Sequence, residues 1–123
     1  MRSFLAGMAG ILICGAALAA TLPRETAYLT ENRAAMDRMM AGMTIKPSGD
    51  ADANFAAVMI PHHQGAIDMA VVELRHGKNP GLRRIAQEII VDQQQEIAAM
   101  KLALGQKLPP STPAPTMAGM AMH

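Results

Sequence analysis

The residues with the most chemistry are Met59-Ile60-Pro61-His62-His63-Gln64-Gly65-Ala66-Ile67-Asp68-Met69, two adjacent histidines set between methionines in a chain of 123 residues that holds 12 methionines. Thioether sulfur with imidazole suits a soft ion, Cu(I) above all. Zinc more often brings thiolate or carboxylate, and magnesium or calcium brings oxygen. Copper binding is therefore the leading expectation, with Cu(I) first and Ag(I) or Cu(II) behind it. No nucleophile with its base is recognisable, so catalysis is not expected.

Further candidate ligands surround this centre. At about 100° per residue, Met59, Ala66 and Ala70 fall near one line of a helix, His62 and His63 flank that line on opposite sides, and Met69, Glu73 and His76 lie beside His62. Upstream, Met36, Met39, Met40 and Met43 occupy an arc as wide as an ordinary buried stripe, so filling a core competes with holding metal there. Downstream, Gln93 and Glu96 interrupt an apolar stripe that ends at Met100; polar groups in such a stripe need partners and are expected to orient ligands. The C-terminal Met117, Met120, Met122 and His123 have no core to join, which favours metal capture on a tether.

Composition and the leader bound the remaining choices. Arg2, the uncharged run from Phe4 to Leu18 and the small-x-small Ala17-Leu18-Ala19 have the form of a secretory signal, with cleavage expected after Ala19 and a periplasmic product. The single cysteine, Cys14, would leave with the leader, so a soft-metal site would rest on Met and His alone. The apolar run is shorter than the ~20 residues of a spanning helix, and no membrane attachment is expected after cleavage. Removing residues 1–19 takes Arg2 from 11 basic residues and leaves ten against ten acidic ones, which argues against a nucleic-acid partner.

Three helices must position these groups. Pro23 fits a first helical turn, and Leu29, Met36, Met39, Met40 and Met43 recur at helical spacing until Gly42 and Pro47, which predicts a first helix over residues 23–42. Asp50 or Asp52 caps a second helix that stops at Gly77 and contains Pro61, whose ring frees the carbonyl of Ala57 and predicts a kink. Asn79 caps a third, with Pro80 at its first position, Leu82, Ile85, Ala86, Ile89, Ile97 and Leu104 along its inner stripe, and Gly105 at its end. No stretch has a strand period. The fold class is all-α, an antiparallel bundle of three helices over residues 20–105, followed over 106–123 by a Pro-rich linker and Met/His tail expected to be flexible. With Tyr28 and Phe55 as its only aromatics after leader removal, so small a core makes association with a second copy a reasonable expectation.

The pattern Asp52, Phe55, Met59 to Ala70, Gly77, Pro80, Leu82-Arg83, Ala86, Ile89, Gln93, Glu96-Ile97 and Met100 resembles domain-of-unknown-function family 305 over about half the chain. That resemblance implies a ferritin-like hairpin and a periplasmic or cell-surface protein associated with copper tolerance, with family ligand positions at Met59, His62, His63, Met69 and Met100. Many members are longer or carry two hairpins, so a four-helix unit would here require dimerisation. The role implied is sequestration or shuttling of copper, with a copper-efflux protein or a cuproprotein as the exchange partner. Two alternatives stay open. One is a structural or interaction module without metal; the other is a di-iron centre built in a dimer from Glu73-Leu74-Arg75-His76 and Glu96.

Overall fold

The structure, a computed structural model, describes residues 14–108, with side chains described from Pro23 onward. It is all-α. Helix α1 spans Cys14–Gly42, α2 spans Ala51–His76 and α3 spans Pro80–Ala103. The caps agree with the sequence: the Asp50 carboxylate accepts from the amide of Asp52 at 2.9 Å, and the Asn79 side-chain carbonyl accepts from Gly81 at 2.8 Å and Leu82 at 3.1 Å. Gly105, at φ 72, supplies the left-handed residue just beyond α3.

The start of α1 differs from the expected one. The helix begins at Cys14, upstream of Pro23, which therefore lies inside it. A proline there costs the single hydrogen bond to the carbonyl of Ala19, and the Ala- and Leu-rich residues before it favour helix strongly. Pro61 likewise leaves α2 continuous from Ala51 to His76.

Helix α2 is the centre of the fold, because α1 and α3 both pack on it and, among the described residues, form no packed pair with each other. Toward α3 it presents Ile67, Ala70 and Leu74, which join Ala86 and Ile90 in the core, with Val71, Ile89 and Ile97 packed against them. Toward α1 it presents Pro61, Gly65, Asp68 and Arg75. The two lines lie roughly half a turn apart at 100° per residue. The three antiparallel helices therefore lie side by side, as one layer with α2 in the middle.

Backbone proximity fixes the α1–α2 register. A Cβ on Gly42 would stand 2.7 Å from Cβ of Pro61, and one on Gly65 would stand 2.6 Å from the side chain of Met39. Arg38 donates to Asp68 at 3.1 Å further along, and Arg75 pairs with Glu31 near the far end. Among the described residues the buried apolar ones are few and small: Ala35, Ala56, Ile67, Ala70, Val72, Leu74, Ala86 and Ile90, half of them alanine. Dense contact must then come from close backbone approach. Gly42→Ala and Gly65→Ala are each expected to lower stability by about 1–2 kcal/mol, overpacking outweighing the helix propensity that Ala gains over Gly. Denaturant midpoints against the unsubstituted chain check this, and an unchanged or raised midpoint would contradict the close crossing.

Candidate functional site

Neighbours in sequence, His62 and His63 meet different surroundings. A rotation of about 100° separates them on α2. His63 faces α3 and is buried, whereas His62 points to the open flank of the layer and is exposed. Their rings still touch edge to face, with centroids 5.7 Å apart.

Both nitrogens of His63 are occupied. Nδ1 lies 2.7 Å from the carbonyl oxygen of Met59, which can only accept, so Nδ1 carries a proton. Nε2 lies 2.6 Å from Oε2 of Glu96 on α3, and one proton sits between these two atoms. Gln93 donates to the same carboxylate oxygen at 3.2 Å. The polar interruption of the α3 stripe thus has its partner. A metal taking Nε2 of His63 must displace that proton and turn Glu96 aside, while His62 has no hydrogen-bond partner among the described residues and offers a nitrogen without such a cost.

The methionines divide in the same way. Met39 packs against Gly65, in contact with the α2 backbone. Met36 and Met40 are exposed, and the sulfur of Met36 accepts weakly from Asn32 at 3.8 Å. Met43, Met59, Met69 and Met100 are half-buried. The contacts His63 to Glu96 and Leu74 to Arg83 set the α2–α3 register, which brings Met100 level with Met59; Met100 also lines a shallow depression with Phe55 and Leu104.

Helical rotation places most of these groups on one side of the layer. With α1 and α3 both antiparallel to α2, the flank of α2 that carries Phe55, His62, Ala66, Met69 and Glu73 lies on the same side as Leu29, Met36, Met40 and Met43 of α1. Leu82, Ile85, Ile89, Glu96 and Met100 of α3 share that side. The shared depression of Phe55 and Met100 agrees with this arrangement. On the opposite side, Glu31, Ala34, Arg38, Asp68, Val71 and Arg75 line a polar groove.

His76 stands apart, about 21 Å along α2 from His62 at 1.5 Å per residue. Its Nε2 donates to Oε1 of Glu31 at 3.0 Å, and its ring meets Tyr28 edge to face, with centroids 6.4 Å apart. Arg75 takes the other oxygen of Glu31. Glu31 escaped sequence reasoning because its partners lie more than forty residues away, where only the helix register reveals them. Glu73, the other half of the Glu-x-x-His motif, packs against Gly77. Among the described residues no three His, Cys, Asp or Glu side chains form a metal-holding group. Met117, Met120, Met122 and His123 lie outside the described residues.

Against this geometry the comparison is specific. The profile of the domain of unknown function DUF305 matches residues 17–104, and the chain belongs to that family. The match takes in nearly all of α1 as well as the α2–α3 hairpin. No curated protein matches the chain.

The Glu31 clasp predicts an acid response. Hydrogen bonding from His76, then from Arg75, holds the Glu31 carboxyl below its ordinary value, against the opposing effect of burial. A carboxyl lowered in the folded state stabilises above its unfolded value, and that contribution is lost as pH falls through the folded one. Glu31→Gln is therefore expected to lower stability at neutral pH and to flatten the loss on acidification. Thermal midpoints measured across the acid range check this, and parallel acid profiles for the two proteins would contradict it.

Proposed function

We propose that the chain is a periplasmic copper-binding protein that sequesters or shuttles Cu(I), with Ag(I) and Cu(II) as competing ions, and that it catalyses no reaction. One observation carries the reading: the imidazole of His62, without a hydrogen-bond partner among the described residues, shares an open side of the layer with Met36, Met40, Met43 and Met69. Soft donors at a solvent-facing surface suit capture of a soft ion. His62 and the exposed methionines form the first point of attachment. His63 is a further ligand that engages once the proton shared with Glu96 leaves, whereas Met39, Met59 and Met100 also serve packing. His76, held by Glu31, belongs to the α1–α2 clasp and not to this surface.

The tail ligands Met117, Met120, Met122 and His123 would collect the ion or pass it to a copper-efflux or cuproprotein partner. No described helix is long and apolar enough to cross a membrane. On this reading the exported protein begins at Ala20, which N-terminal sequencing of the exported chain would show. A start at Met1 would contradict removal of the leader.

His63 also supports a second reading, a helical module in which its two satisfied nitrogens serve structure alone. Titration with Cu(I) against a chromogenic chelator separates the two. His62→Gln is expected to weaken binding about tenfold or more, equivalent to ~1.4 kcal/mol; His63→Gln should weaken it less while lowering the unfolding midpoint. Loss only on removing residues 106–123 would place capture on the tail. No competition for Cu(I) by the unsubstituted chain would leave the structural module.

A further inference from the structure

We propose that the side of the layer bearing His62 is an interface, and that its occupant is a second copy of this chain packed face to face. A single layer of helices buries only the lateral edges of each helix, whereas stable domains close a core between two layers. Here the lateral edges supply few large side chains; among the described residues Ile90 is the largest that is fully buried. Large apolar residues remain exposed on this side: Leu29 at 56%, Phe55 at 60%, Leu82 at 54% and Ile85 at 50%, with Met36 and Met40 among them.

The dimensions fit a dimer. From Leu82 to Met100 the face runs ~27 Å at 1.5 Å per residue. Three helix axes at 8–10 Å spacing make it roughly 18 Å wide, on the order of 500 Å² in flat projection before side-chain relief is added. A standard interface buries ~800 Å² of accessible surface per partner, and the largest patch on an ordinary monomer is ~300–600 Å².

Charge selects the occupant. The face holds Glu73, Asp92 and Glu96 together with His62 and one cation, Arg33, which follows Leu29 by four residues and precedes Met36 by three on the α1 line. An anionic lipid surface needs clustered cations and would meet more carboxylates than cations here. A face that carries both signs, Arg33 on α1 and the carboxylates of α2 and α3, can complement itself across a two-fold contact, as an isologous interface requires. On the opposite side Arg38 is paired to Asp68 and Arg75 to Glu31 within the one chain.

The inference does not rest on copper, and its test is run with chelator present. Sedimentation of the full exported chain from low micromolar concentration upward is expected to give twice the protomer mass, with an unfolding midpoint that rises with concentration. Leu82→Glu, on the face, should abolish the dimer, while Val91→Glu, on the opposite side of α3, should leave it intact. Should Leu82→Glu unfold, a concentration-dependent midpoint of the unsubstituted chain still supports the inference. A monomer at every concentration would overturn it, as would a dimer broken by Val91→Glu and not by Leu82→Glu. A monomer that binds phosphatidylcholine vesicles would assign the face to lipid and also overturn it. Cu(I) binding by a monomer would sink this inference and leave the copper reading standing; a dimer without Cu(I) binding would do the reverse.

Discussion

Helix α2 has to bury two opposite lines of its surface at once, and the rest of the molecule follows from that demand. Ile67, Ala70 and Leu74 take one line to α3. Pro61 and Gly65 take the other to α1, where absent or compact side chains let the backbones approach. A helix held on opposite sides has only its flanks left. Groups on the flanks meet solvent or a partner, and groups on the packed lines meet core.

This constraint explains why two consecutive histidines differ so sharply. His63 falls on the α3 line, where burial requires both nitrogens to be satisfied, and Met59 and Glu96 do so. His62 falls on the flank and needs no partner, since water can serve it. The same division separates Met39, fixed against Gly65, from Met36 and Met40, which stay exposed. Chemistry and packing thus draw on one residue type, and position on the wheel decides which use prevails.

The two sides of the layer are unequal in a way that bears on assembly. One carries ion pairs that tie α1 to α2 across thirty and forty-four residues of sequence, Arg38 to Asp68 and Arg75 to Glu31. These pairs are partly solvent-exposed, so they set register and orientation more than they add stability. The other side carries Leu29, Phe55, Leu82 and Ile85 exposed together with Met36, Met40 and His62. The proposed ion site and the proposed interface draw on the same area, so occupation of one would be felt by the other.

Local signals in the sequence determined the helices, because caps and breakers act within a few residues: Asp50, Asn79 with Pro80, and Gly105 each stand where the chain needs them. The one misplaced boundary, the start of α1 at Cys14 and not at Pro23, arose because a proline ends a helix only when the residues before it do not favour one. The sequence also singled out the His-Met segment and the partner-seeking Glu96, since residue type and helical spacing are enough to do so. The tertiary structure alone decided that His76 belongs to Glu31, that Gly42 and Gly65 are points of close crossing, and that Met36, Met40, Met43, His62, Met69 and Met100 share one side. Those outcomes depend on the register between helices, which is set by backbone approach between residues far apart in the chain and leaves no periodic trace in any one of them.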